Sequence, residues 1–186
     1  MAPQAGAAPA GPSFSVTFPA ARSAKPLDGR VILLLSRDFS REPRSHVSFE
    51  EPLDAPFIFG LNVDRLAPGQ AAIVDDGAFG WPTRRLSALP AGDYFVQAVL
   101  NRYETFHLAD GRVLKLPPDK GEGQQWAAKP GNLYSAPVKL HIDPARPGRM
   151  ALSLDQEIAP IAASADTAFV RHIKIRSELL LSLIHI

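Results

Sequence analysis

An all-β fold, built as an antiparallel two-sheet sandwich, is what this 186-residue sequence predicts. Three observations lead to it. Short apolar segments alternate inward and outward with the period of two that suits a half-buried strand. Eighteen Pro and 13 Gly punctuate the chain, breaking it about every ten residues, the spacing of strands and turns in sandwiches. No segment sustains a 3.6-residue apolar period over about eleven positions, so helices have no foothold and alternating βαβ units are not expected.

The elements follow in chain order. Ser13 to Phe18 alternates Phe14, Val16 and Phe18 inward against Ser13, Ser15 and Thr17. VILLL at 31–35, bounded by Gly29 and Asp38, is apolar on both faces and reads as a central strand, with a buried helix segment as the competing reading. SHVSF at 45–49 is a weaker strand or an ordered turn. PFIFGLNV at 56–63 puts Phe57, Phe59, Leu61 and Val63 on one face, while Gly60 on the other suggests a bulge or a close backbone approach. LAPGQAAIV gives a turn and a short strand.

LPAGDYFVQAVLNRY at 89–103 is the clearest strand signal. A Pro/Gly turn feeds a segment with Tyr94, Val96, Ala98 and Leu100 on one side. Its Leu89-x-x-Gly92-x-Tyr94 arrangement resembles the E–F corner of immunoglobulin-like domains, where a tyrosine hydroxyl returns to the backbone. The sandwich is therefore expected to be immunoglobulin-like. YSAPVKLHI at 134–142 sets Tyr134, Ala136, Val138, Leu140 and Ile142 against the other face, with Pro137 marking an edge or an irregularity. The expected core includes Phe14, Leu33, Phe59, Tyr94, Val96, Val138 and Leu140.

About seven or eight strands result. The expected organisation is a disordered lead-in over 1–12, the sandwich over 13–154 with MALSL (150–154) as an edge strand, and a linker over 155–168. Last comes an orphan strand in 169–176, where Phe169, Ile173 and Ile175 oppose Val170, His172, Lys174 and Arg176.

Apolar residues make up 46% and charged residues 21%, enough for a core, and the net charge is +1 with Lys and Arg spread along the chain. Neither nucleic acid nor an anionic membrane is an expected partner. Cysteine is absent, which excludes disulfides and thiolate metal sites but does not fix a compartment. MAPQAGAAPAGP at 1–12 carries no basic n-region and no apolar h-region, and no run of apolar residues has membrane-spanning length.

No nucleophile elbow, phosphate loop, zinc-protease or dinucleotide fingerprint occurs. His46, His107, His141, His172 and His185 share no metal-ligand spacing within an element, and His141 and His172 fall on polar strand faces. Asp75 and Asp76, before Gly77, read as a turn, with a calcium or acid–base role as the sharper alternative. No catalytic residue, cofactor or metal is expected. The unusual stretch is 116–137, LPPDKGEGQQWAAKPGNLYSAP, too rich in Pro, Gly and polar groups for a strand yet carrying Trp126 and Tyr134. A tryptophan in such a loop has a contact to make: a plug over the sandwich, another domain, or a stacked carbohydrate. Trp126, Tyr134 and Asn132 are the candidate interdomain or ligand contacts.

EGQQW (122–126), PGNLYS (130–135) and FVRHIKIRSELL (169–180) resemble the N-terminal, non-catalytic region of bacterial esterases whose catalytic part is an α/β-hydrolase domain of the esterase D-like kind. The resemblance runs from the first strand to Leu180, and LSLIHI at the end departs from it. It implies that 169–186 is the truncated start of a hydrolase domain, the partner in cis. It also implies a secreted or periplasmic location, and that the family's serine, acid and histidine match no position here. The expected function is that of an accessory sandwich without chemistry of its own. A free-standing carbohydrate- or protein-binding module is the alternative, and an intact enzyme a distant third.

Overall fold

The computed structural model describes residues 11–47, 55–119, 125–162, 165–177 and 182–185. Its strands are β1 (Pro12–Thr17), β2 (Leu27–Ser36), β3 (Phe57–Leu66), β4 (Ala72–Val74), β5 (Phe79–Trp81), β6 (Gly92–Arg102), β7 (Glu104–His107) and β8 (Val113–Leu116). They continue with β9 (Leu133–Tyr134), β10 (Val138–Ile142), β11 (Gly148–Ser153), β12 (Gln156–Glu157), β13 (Lys174–Ser177) and β14 (Ser182–His185). The described residues are essentially all-β, with two short 3₁₀ turns among them at Pro43–His46 and Leu86–Ala88.

A seven-stranded sheet runs β12-β9-β6-β2-β3-β5, with β10 also on β6, and a three-stranded sheet runs β11-β1-β4. Their inner side chains meet in one core: Phe14, Val16, Val74 and Leu152 from the small sheet, and Val31, Leu33, Phe59, Tyr94, Val96 and Leu100 from the large one. The alternation read from β1, β3 and β6 thus points the right way. The sheets are not wholly antiparallel, however, because β1 and β11 pair in parallel from Pro12↔Gly148 to Thr17↔Ser153. Period-two patterning fixes which side chains face the core but is blind to strand direction. The lead-in also ends earlier than 12: Gly11 and Pro12 are already buried, and residues 1–10 lie outside the described residues.

VILLL forms the heart of β2, between β3 and β6. Gly29 lies inside this strand, not at its boundary. A Cβ there would stand 2.3 Å from the Asn101 carbonyl oxygen of β6, a backbone atom that cannot step aside. Gly29→Ala is expected to lower stability by about 1–3 kcal/mol, the usual cost of overpacking, measured by urea unfolding; an unchanged midpoint would show that β6 yields at that point. Gly60 makes its close approach to a side chain, the Arg30 guanidinium, and the β2–β3 ladder is continuous there, its irregularity falling at Leu27/Gly29 instead.

The Tyr94 hydroxyl donates to the Pro90 carbonyl at 2.6 Å and accepts from Arg37 Nη2 at 3.2 Å, with the ring fully buried. This is the return bond that the Leu-x-x-Gly-x-Tyr segment predicts. β9 and β10 line the same edge of β6, with Tyr134 opposite Val99 and Val138 opposite Val96. Four steps along one strand therefore span three along the other: a one-residue bulge at Ser135–Pro137. Pro137 has no N–H for the ladder, and the Ala98 N–H is taken by Ser135 Oγ at 3.0 Å. The bulge corrects the expected face. Leu133 joins the core, Tyr134 goes to the opposite face of the sheet, and Val138, expected in the core, is 37% exposed near an edge while Leu140 is half-buried.

Three further differences concern the ends and edges. Residues 43–46 form a 3₁₀ turn, with 48 and 49 outside the described residues. Gln156–Glu157 pairs with Leu133–Tyr134, and the Ile158 N–H donates to the Asn132 carbonyl at 2.9 Å, so the expected linker from 155 contains a strand at Gln156–Glu157 and is tied to the sheet through Ile158. The orphan strand is shorter than expected and is not alone. Thr167 and Asp166 side chains bind the amides of Phe169, Val170 and His172, holding 166–172 in a turn, and β13 pairs with β14 from Lys174↔His185 to Ser177↔Ser182 as a separate two-stranded sheet.

Candidate functional site

The outer face of the seven-stranded sheet carries the residues that a functional reading must explain. Outward side chains of β2 and β6, namely Ile32, Leu34 and Val99, form a second apolar cluster, against which Val47, Ile58, Trp126 and Tyr134 pack. Trp126 is half-buried against this patch. Tyr134 reaches the same patch because the bulge turns it outward.

Polar groups tie this cover down. The Arg44 guanidinium stands 4.3 Å from the Tyr134 ring centroid, close enough for a cation–π contact. It also donates to Glu42 Oε1 at 2.9 Å and to the Ala127 carbonyl at 2.7 Å. Gln97, fully buried on β6, accepts from the Arg44 amide at 3.0 Å and donates to Glu42 and the Ser135 carbonyl. A buried amide without partners would be costly; these bonds instead pin the 42–46 turn and the 126–135 segment to one strand.

Asn132 is buried at 1% exposure. Its Nδ2 donates to the Trp126 carbonyl at 2.9 Å and to Asn101 Oδ1 at 3.1 Å, while its Oδ1 accepts from the Arg102 amide at 3.0 Å. All these partners are internal, so Asn132 positions the loop, and of the three candidates only Trp126 and Tyr134 come together at a surface. Glu42, Arg44 and Gln97 escaped the sequence reading, since nothing in their spacing says that remote segments share one face.

Three acidic clusters invite a catalytic reading and geometry answers each. Ser36 Oγ lies 3.5 Å and Asp38 Oδ2 3.7 Å from the same His46 nitrogen, Nδ1. A general base needs one nitrogen for the nucleophile and the other for the acid, and Ser36 is itself buried with its oxygen accepting from the Asp38 amide. The Asp38 carboxyl is held below its ordinary pKa, first by the Ser40 hydroxyl and amide. Asp75 accepts from the Gly77 amide inside its own turn, and Asp76 takes the Ser87 amide and hydroxyl of the 3₁₀ turn Leu86–Ala88, so both carboxylates have structural partners. At the far end of the outer face Lys115 of β8 bridges Asp28 and Asp64. The Arg65 amide does most to lower the Asp28 pKa, burial opposes it, and Lys115 and Asp64 add to the lowering, while Asp64 and Asp28 raise that of Lys115. This ion pair fastens the β7–β8 hairpin to β2.

Among the described residues no three His, Asp or Glu side chains gather as metal ligands, and no helix is long and apolar enough to cross a membrane. Protein-family models, curated proteins and solved structures offer no match to this chain. The functional reading therefore rests on the residues themselves.

Proposed function

We propose that this domain is a non-catalytic accessory module, an immunoglobulin-like sandwich that works beside a catalytic α/β-hydrolase domain of the esterase D-like kind. The observation that carries the proposal is the segment after the sheets. Phe169 is 98%, Val170 52% and Ile173 60% exposed, and they lead into a hairpin that joins neither large sheet. An isolated two-stranded hairpin is marginal in water, and exposed apolar side chains of this kind gain stability only against a core that the sandwich does not lend them. The resemblance of FVRHIKIRSELL to the entrance of a hydrolase domain supplies such a core. The Tyr94 return bond supports the immunoglobulin-like closure. A sugar platform at Trp126 and Tyr134 has less support, because Arg44 lies over the Tyr134 ring and Trp126 is packed on the sheet.

The purified chain is expected to hydrolyse p-nitrophenyl acetate no faster than free imidazole background. Hydrogen exchange is expected to find weak amide protection through 169–176 in the monomer and strong protection once the neighbouring domain is attached. Turnover abolished by a single Ser or His substitution would overturn the non-catalytic reading. Strong protection in the isolated monomer would remove the argument for a neighbouring core.

A further inference from the structure

Among the described residues, the outer face of the large sheet is covered on the β6 side, and its aromatic side chains are exposed at the edge strand β5. There Phe79 is 74% and Trp81 45% exposed. Gly80 between them is buried, with its Cβ position 2.5 Å from the Phe59 ring, so alternation directs both aromatic side chains outward on one face. Phe79 lies opposite Gly60, and Trp81 opposite Ile58. Because residue 60 has no side chain, the Arg30 guanidinium occupies the vacant slot beside Phe79: Nη2, Nε and Cζ sit 2.3, 2.5 and 2.6 Å from where a Cβ would be. Arg30 Nη1 donates to Asn62 Oδ1 at 2.6 Å. Among the described residues the bond to Asn62 is the polar contact that Arg30 shows, and none of the ion pairs includes it.

We propose that this strip binds an acidic polysaccharide, with Phe79 and Trp81 stacking on pyranose faces and Arg30 taking a uronate carboxylate. Two rings alternating along a strand stand about 7 Å apart and offer flat apolar surfaces to the C–H face of a sugar chain. A planar guanidinium held by Gly60 and Asn62 is oriented in advance for a bidentate carboxylate, and its charge, which no carboxylate among the described residues neutralises, is what selects an anionic chain over a neutral one. A folded protein partner fits less well: a three-residue edge strand with two rings falls far short of the roughly 800 Å² per side of a stable protein interface. Arg84 and Arg85, soon after β5 in sequence, are exposed as well.

Affinity electrophoresis in gels containing polygalacturonate or alginate, with neutral mannan as comparison, tests the assignment. Retardation by a uronate polymer and not by mannan is expected. Phe79→Ala and Trp81→Ala should each weaken binding at least about tenfold, a loss of stacking comparable with that at other aromatic platforms. Arg30→Gln should abolish the preference for polygalacturonate over its methyl ester. Phe79 and Trp81 are exposed and Arg30 is half-buried, so each variant is compared with the parent by thermal unfolding, and a matching transition certifies the fold. No retardation by either uronate, full binding by the Phe79→Ala/Trp81→Ala double variant, or equal retardation by mannan would each overturn the proposal. The accessory-module reading stands apart from it, since neither ester turnover nor hydrogen exchange at 169–176 involves β5.

Discussion

Phe14→Ala is expected to remove about 3–5 kcal/mol, the range for truncating a fully buried phenylalanine. Phe14 has no exposed surface and stands at the centre of β1, opposite Met150 of β11 and Val74 of β4. It is the largest side chain that the small sheet sends to the shared core. The cavity opens where two sheets meet, so collapse on one side is resisted by the other. Against a total stability of about 5–15 kcal/mol for a domain, the loss is a large fraction. Urea unfolding should show a lower midpoint with the slope unchanged, while Val113→Ala on the exposed β8 should shift stability by no more than about 0.5 kcal/mol. Equal midpoints for Phe14→Ala and its parent would mean that the small sheet does not depend on this contact.

Asn132→Ala should have the second-largest effect. Its three bonds leave the Trp126 carbonyl, Asn101 and the Arg102 amide without their partner when the amide is cut away. Each stranded group costs roughly 1–3 kcal/mol, less whatever water recovers, so about 2–4 kcal/mol is expected. A second signature separates this from a generic core defect. With Trp81 replaced by Phe so that Trp126 reports alone, its emission should move to longer wavelength at denaturant concentrations where far-UV circular dichroism is still native. Loss of emission and dichroism in one transition would contradict a role in holding the loop.

The strands most legible in the sequence are those with one buried face and one wet face. β1 and β3 alternate because one side meets the core, and the inner face of β6, Tyr94 to Leu100, is fully buried as its pattern predicts. The outer face of β6 is a different matter. Gln97 and Asn101 are polar yet buried, because the segments covering them, 42–46 and 126–135, lie far away in sequence. The β7–β8 hairpin left no alternation at all: all eight of its residues are exposed, and it is shaped by the turn around Gly111, at φ +84°, and by Lys115 reaching Asp28. Trp126 was legible as a residue with a contact to make; the surface it meets was not, since Ile32 and Leu34 read equally well as interior to a central strand. Phe79 and Trp81 were missed because three residues are too few to carry a period.

The parallel pairing of β1 with β11 has a consequence for the order in which the molecule can be made. Ser13 and Gly148, joined by a hydrogen bond, are 135 positions apart. On the ribosome the first strand emerges with Phe14, Val16 and Phe18 long before its parallel neighbour exists. It can meet β4 early, since that partner follows within the first half of the chain, but its other edge stays bare until nearly all of the sandwich has been synthesised. Contacts of such span slow folding, because the closure entropy is lost before the pairing is gained. The β2, β3 and β6 strands of the large sheet, all made well before β11, are therefore expected to assemble first, with β11 joining the small sheet late in synthesis.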